Sequence, residues 1–359
     1  MACFNFLVDK FRAEKKYPEL FEAMLMQKRH ELGLPLFPRG PLSDLPIDKQ
    51  KSYDAASIEA AREVGGYFLA EGDITKAWPY YRAIGDAGPI RDAIDRLSAS
   101  DDQEGVIEIA YNERVHPSKG FELLLENYGT CRAITNFAQY PGPEGLTESA
   151  RLLTEKVYGE LRDNLIRAIK RKEGEAPQSS SVSELISGRD WLFEGSNYYI
   201  DTSHVSSIVQ YSLDWHESRN LRLVIELCEY GQKLSEMFQY AGQPPFENVF
   251  EDHEIYLRAV LGENVEIAVE HFQKKVETSD PYEVGTAPAQ TLVKIFAQLE
   301  RFNEAIDVYQ RYLKDSDPNY LKCPNARQLC DMAGDYARLC DLAREDDDLL
   351  SFTAAVVQK

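Results

Sequence analysis

The amino-acid sequence predicts an all-α protein made of antiparallel helix pairs. Apolar residues recur at steps of three and four along most of the chain, which is the spacing of one face of an α-helix. Small residues stand where two such helices would meet, and this arrangement recurs at a nearly constant period towards the C-terminus. Strand patterns are almost absent, with only the short run YYI at 198–200 suggesting one.

The composition argues against two classes of partner. The chain has 359 residues, which suggests two domains or one extended repeat array, and its 43% hydrophobic residues suffice for a folded core. It carries 60 acidic against 40 basic side chains, a formal net charge of -20. A chain this acidic repels nucleic acid and anionic lipid, and no stretch reaches the roughly 20 apolar residues that cross a bilayer. We therefore expect neither a nucleic-acid partner nor a membrane partner.

The cysteines and the N-terminus predict a cytoplasmic protein. No two cysteines form a CxxC pair, and the last three fall on apolar helical positions, so we expect reduced, buried thiols. Residues 1–16 lack the basic region and apolar core of a signal peptide. The six cysteines are Cys3, Cys131, Cys228, Cys323, Cys330 and Cys340.

The first 50 residues predict one helix followed by an extended strap. Apolar residues at helical spacing favour an amphipathic helix over 8–32, which Gly33 would end. Proline fixes φ and removes a backbone donor, so the proline-rich segment 33–50 is expected to lie extended on other elements. Its prolines are Pro35, Pro38, Pro41 and Pro46.

Residues 54–97 predict a helix, a tight turn and a second helix. Two antiparallel helices approach closely only where small side chains meet, and Gly65 and Ala77 occupy those positions. Gly72 is suited to the turn, and Asp73 to the cap of the second helix.

A similar pattern recurs over 254–345. The small-residue position is taken by Ala268, Ala305 and Leu339, which are 37 and 34 residues apart. This spacing resembles that of the tetratricopeptide repeat (TPR), whose unit has about 34 residues. The resemblance covers 54–97 and 254–345 and implies a TPR-like α-α superhelix with a concave recognition face. Leu339 is bulky for its position, so the units are divergent, and the resemblance assigns no binding residue.

Further helices are expected between these two regions. The pattern favours helices over 103–114 and 118–138, with a break at Gly129, and a long helix from Thr147 to Lys172. The basic run Arg167–Lys172 stands at the C-terminal end of that helix, where positive charge complements the helix dipole.

The polar, serine-rich segment 173–184 predicts a linker. It would separate an N-terminal helical region, 1–172, from a C-terminal region of TPR-like repeats, 185–359. The N-terminal region would hold the strap 33–50 and the TPR-like unit 54–97. The same segment is equally consistent with a loop inside one continuous array.

The stretch after this linker concentrates polar groups of several kinds. Asp201 could orient His204 in a binding site, or Asp201 or Thr202 could simply cap a helix that begins there. His216 follows twelve residues later, about 18 Å along a continuous helix, so the two histidines would not share a metal ion.

Motifs for catalysis are missing from the sequence. It has no HExxH, no glycine-rich phosphate loop and no GxSxG. We therefore predict no catalytic residue, no metal ligand and no cofactor.

The leading function prediction is a noncatalytic protein–protein interaction scaffold that binds a partner segment on a concave helical face. The acidic net charge favours a protein or peptide partner with Lys or Arg. The alternative is a helical enzyme, or a small-ligand or metal-binding protein, with a polar pocket around 189–204. A scaffold should show an open groove beside this stretch, and an enzyme an enclosed polar cavity. The candidate binding residues are Arg189, Asp190, Trp191, Tyr199, Asp201 and His204.

Overall fold

A computed structural model describes residues 1–37, 40–41, 46–98, 103–215 and 217–358, the side chains of 281 and 282 excepted. The structure is 73% helical, no strand occurs within these ranges, and the all-α class is confirmed. The α-helices are α1 Ala2–Ala13, α2 Tyr17–Glu31, α3 Ile47–Ala70, α4 Ile74–Ala83, α5 Gly88–Asp95, α6 Glu104–Ile107, α7 Pro117–Phe137, α8 Leu146–Glu173, α9 Val182–Ile186, α10 Thr202–Tyr211, α11 Ser218–Gln232, α12 Val249–Val260, α13 Val265–Thr278, α14 Pro281–Val284, α15 Ala287–Gln298, α16 Phe302–Tyr312, α17 Ala326–Ala333, α18 Tyr336–Glu345 and α19 Leu349–Gln358. A π-helical turn covers Glu108–Asn112, and 3-10 turns cover Asp190–Ser196, Ser212–Asp214, Glu236–Phe238 and Pro318–Tyr320.

The chain folds into two compact units, Met1–Leu152 and Leu153–Lys359. Within each unit, many helices that are neighbours in the sequence pack against each other, an arrangement compatible with a helical repeat fold. In the part of the chain that the structure describes, no helix is both long and apolar enough to cross a membrane.

The start of the first unit differs from the sequence prediction. The single helix expected over 8–32 is wrong, because the chain breaks between α1 and α2 at Lys15, whose φ is +56°. Pro18 stands in the first turn of α2, where its missing N–H costs no helical hydrogen bond. α3 begins at Ile47, inside the segment expected to be extended. Residues 38–39 and 42–45 of that segment lie outside the described residues.

The predicted pair over 54–97 is confirmed by α3 and α4. A Cβ on Gly65 would lie 2.7 Å from Cε2 of Tyr81, so only glycine allows this approach. Ala77 is fully buried. Gly72 adopts φ +81° in the turn, and the Asp73 carboxylate accepts a hydrogen bond from the Lys76 backbone amide at 3.0 Å.

The long helix α8 buries the apolar stripe that its sequence predicts. The five stripe residues are fully buried, although the helix also carries many charged side chains on its other faces. These residues are Leu153, Val157, Leu161, Leu165 and Ile169.

The polar segment 173–184 runs from the end of α8 into α9. The Glu226 carboxylate on α11 accepts hydrogen bonds from the Tyr158 hydroxyl at 2.7 Å, the Ser181 hydroxyl at 2.9 Å and the Ser183 amide at 3.2 Å. These contacts fasten the C-terminal part of the segment to α8 and α11.

The C-terminal helix pairs place the predicted small residues inside. Ala268 and Ala305 are fully buried, and Leu339 is almost so. Gly334 ends α17 in the left-handed conformation, and Asp335 caps α18. The six cysteines are free thiols. Cys330 and Cys340 are buried in α17 and α18 as predicted, but the helical position predicted for Cys323 is wrong, because it lies half-buried in a bend before α17. Cys228 is buried, whereas Cys3 and Cys131 are exposed.

Candidate functional site

Asp201 is the N-cap of α10. Its carboxylate accepts hydrogen bonds from the Ser203 amide at 2.9 Å and the Ser203 hydroxyl at 2.6 Å. These bonds, led by that of the hydroxyl, hold the pKa of Asp201 below its usual value. His204 is half-buried, with Nε2 at 3.9 Å from the second carboxylate oxygen of Asp201. Because the side chain of Asp201 is 59% exposed, the two groups do not line an enclosed cavity.

Arg189 forms hydrogen bonds with two neighbouring segments of the chain. Its Nε donates to Glu173 Oε1 at 2.7 Å, and its Nη1 donates to the Leu185 carbonyl at 3.1 Å. The hydrogen bond with Glu173 raises the pKa of Arg189. This guanidinium therefore joins the end of α8 to α9.

The remaining predicted residues point to different places. Asp190 is exposed and lies 3.2 Å from Nζ of Lys233, and the Trp191 ring lies 5.9 Å from Nζ of Lys172. The Tyr199 amide donates to the Tyr230 hydroxyl at 2.9 Å. The six candidates are not one cluster.

An open groove lies beside Tyr199 and Asp201, and we call it the arginine groove. Its volume is about 430 Å³. The Asn164 side chain donates to the Tyr199 carbonyl at 2.6 Å and thereby fixes the segment before α10 against α8. The groove is lined by Asn164, Arg167, Ala168, Arg171, Tyr198, Tyr199, Ile200 and Asp201.

The arginine groove carries two guanidinium groups and one carboxylate, that of the helix cap Asp201. Arg167 and Arg171 are exposed and four residues apart on α8, so they project from one face. Arg167 donates to the Asn164 side-chain oxygen, and among the described residues no carboxylate lies within ion-pair distance of either arginine. Tyr198 is 54% exposed, and its ring packs edge-on against Phe238.

A second groove, the His253 groove, has a volume of about 460 Å³. His253 is 1% exposed, and its Nδ1 lies 2.5 Å from the Val249 carbonyl oxygen. A carbonyl only accepts, so Nδ1 carries the proton of the neutral ring. The other groove residues are Gln210, Leu213, Gly242, Gln243, Pro244, Pro245, Phe246, Tyr256, Val284, Thr286, Ala287, Gln290, Thr291, Lys294, Tyr320 and Lys322.

The carboxylate of Asp252, the residue before His253, has hydrogen-bond partners within the chain. The buried Asp252 carboxylate accepts hydrogen bonds from Lys275 Nζ at 2.8 Å, His271 Nε2 at 2.7 Å and the Asn248 amide at 2.8 Å. Over the described ranges, no group of three or more His, Cys, Asp or Glu side chains could hold a metal ion.

No protein-family model, curated protein or solved structure matches the chain. The sequence prediction named Tyr199 and Asp201, which line the arginine groove, but not the arginines beside them, because the run Arg167–Lys172 was interpreted only as complementing the helix dipole. The spacing of Arg167 and Arg171 was the available signal. For His253 there was none, because its surroundings come from segments distant in the sequence.

Proposed function

We propose that this protein is a noncatalytic interaction scaffold of divergent TPR-like helix pairs, which binds an acidic segment of a partner protein in the arginine groove. The observation that carries the proposal is the pair of exposed guanidinium groups, Arg167 and Arg171, along an open groove. Among the described residues no carboxylate lies within ion-pair distance of either, and the one carboxylate in the lining, that of Asp201, is bonded to Ser203 as the cap of α10.

The TPR-like assignment is supported by the packing of the helix pairs. Gly65 meets Tyr81 across α3 and α4, and Ala268 and Ala305 are fully buried in α13 and α16. Helical repeats use such pairs to present extended surfaces to partners. The free cysteines fit the reducing cytoplasm as the place of action.

The net charge of the chain favours a partner with Lys or Arg, whereas the local charge of the groove supports an acidic one. Guanidinium groups bind carboxylates through paired hydrogen bonds. Residues four apart on a helix are separated by about 6 Å along its axis. Alternate residues of an extended peptide lie about 7 Å apart on one side. The groove therefore fits an extended segment with acidic residues at every second position, packed by an apolar residue against Tyr198.

The enzyme alternative around 189–204 has weaker support. General acid–base chemistry requires groups held within reach of a sequestered substrate. Asp201 instead caps a helix at the surface, and Arg189 is engaged by Glu173. The neighbouring groove is open, as a scaffold requires.

The test is a selection of peptides from a random display library. The wild type is compared with the double variant Arg167→Glu/Arg171→Glu. A control double variant, Lys156→Glu/Arg162→Glu, makes the same change of net charge on the same helix but outside the groove.

We expect the wild type and the control to enrich acidic sequences with alternating Asp or Glu, and the groove variant to lose them. Each exposed ion pair contributes about 0.2–1 kcal/mol to binding. Because salt screens such pairs, the groove variant should lose more affinity at low salt than at high salt. Enrichment of basic peptides, or equal enrichment by the groove variant, would overturn the proposal.

A further inference from the structure

The His253 groove holds a buried hydrogen-bond acceptor without a donor. Nε2 of His253 is shielded from solvent and has no hydrogen-bond partner in the described parts of the chain. Buried polar atoms are almost always paired, and leaving one unpaired costs about 1–3 kcal/mol. An unpaired acceptor in the lining of a groove is therefore a place where a ligand can supply the missing donor.

The protonation state of His253 determines which hydrogen-bonding group the ligand must carry. Because Nδ1 donates to the Val249 carbonyl, the neutral ring presents a lone pair at Nε2. Burial keeps the ring neutral by lowering the pKa of His253 to about 4. Nε2 can therefore only accept, and its partner must carry an N–H or O–H group.

The walls around His253 fit a flat ring. Phe246 lies 4.5 Å from His253 between ring centroids, and Tyr256 lies 5.6 Å from Phe246 in an edge-on arrangement. Aromatic side chains prefer to hold another ring in offset or edge-on contact. Since Nε2 is shielded from solvent, a donor reaches it only when a neighbouring side chain moves aside. The groove volume of about 460 Å³ suits a small organic molecule.

The border of the groove adds one unpaired positive charge. Lys294 is paired with Asp214 at 2.9 Å, whereas Lys322 is exposed and, within the described ranges, has no carboxylate partner. Gln290 is already occupied, since it donates to Thr286 and accepts from the Lys322 amide. The lysine ammonium is the group left to bind an anion.

We propose that the His253 groove binds a small aromatic acid that donates an N–H or O–H hydrogen bond to Nε2 of His253. This site shares no lining residue with the arginine groove. Binding of a small molecule here is therefore independent of partner binding in the arginine groove. The apolar walls hold the ring, His253 selects the donor, and Lys322 selects the acid.

Three related compounds test the proposal by calorimetric titration of the full chain. The probe is 4-hydroxyphenylacetate; phenylacetate lacks its donor, and 4-methylphenol lacks its acid. We expect 4-hydroxyphenylacetate to bind, phenylacetate to bind at least about tenfold more weakly, and 4-methylphenol about two- to fivefold more weakly. Absence of binding by 4-hydroxyphenylacetate at millimolar concentration, or equal affinity for phenylacetate, would overturn it.

Two variants assign the contacts. Lys322→Gln should lower the affinity for 4-hydroxyphenylacetate about two- to fivefold and leave the affinity for 4-methylphenol unchanged. His253→Phe keeps an aromatic ring and should make the affinities of 4-hydroxyphenylacetate and phenylacetate equal. A preference for the hydroxyl that survives His253→Phe would contradict the assignment.

If His253→Phe fails to fold, a measurement on the wild type tests the same contact. The ¹⁵N resonance of Nε2 in His253 should move when 4-hydroxyphenylacetate is added, because the lone pair gains a hydrogen bond, and should stay nearly unchanged with phenylacetate. An Nε2 resonance that responds to neither compound would refute the proposed contact.

Discussion

Acidification should destabilise the unit Leu153–Lys359 through His253. The histidine is 1% exposed, and burial is the main cause that lowers its pKa from 6.5 to about 4. The charges that act on it oppose each other, since Asp252 raises this pKa and Lys275 lowers it. The folded state therefore keeps the neutral ring at a pH where the unfolded chain already binds a proton.

The size of the effect follows from proton linkage. The contribution of His253 to stability is complete above pH 6.5 and is lost as the pH falls from 6.5 towards 4. At about 1.4 kcal/mol for each pH unit, the total loss is about 3 kcal/mol.

Comparison with His253→Phe isolates this contribution, because the carboxylates that titrate in the same range are common to both proteins. Urea unfolding is followed by tryptophan fluorescence at neutral pH and at about pH 4. A Trp78→Phe background leaves Trp191 and Trp215, both in the unit of interest. We expect the free energy of unfolding of the wild type to fall, relative to the variant, by about 3 kcal/mol. An equal decrease in both proteins would refute the buried neutral histidine.

Two further substitutions test a helix cap and a close helix contact. Asp201→Ala removes the cap of α10, including its bond to the Ser203 amide, and should lower the free energy of unfolding by about 1 kcal/mol, with Asp201→Asn close to wild type; equal effects of both would speak against capping. Gly231→Ala places a Cβ 2.3 Å from Cδ1 of Phe250 and should cost about 1–3 kcal/mol in urea unfolding. Gly159→Ala, with no neighbouring atom within 4 Å, is its control and should not destabilise, so equal losses would contradict the packing argument.

Helix pairs were predictable where local chemistry and packing agree. Gly65 and Ala77 can be recognised in sequence because close helix contact admits only small side chains. The break at Lys15 was missed, although no large apolar residue lies between Phe11 and Tyr17 and Pro18 marks the first turn of the new helix.

The candidate sites were less predictable, because they depend on segments that meet only in the folded chain. Asp201 was recognisable as a possible cap from its position before α10. The open groove could not be read from the sequence, since it needs Tyr198 to lie beside Arg167 and Arg171. The unpaired Nε2 of His253 depends on how completely the surrounding helices exclude donors.

The central claim, binding of an acidic segment in the arginine groove, is tested most directly by site-specific photocrosslinking. A benzophenone amino acid replaces exposed Tyr198, and Tyr128, exposed in the other compact unit, is the control position. We expect the acidic peptide selected by the wild type to crosslink at 198 and not at 128, and the crosslink to disappear with Arg167→Glu/Arg171→Glu. Equal crosslinking at both positions, or a crosslink at 198 that survives the charge reversal, would contradict the claim.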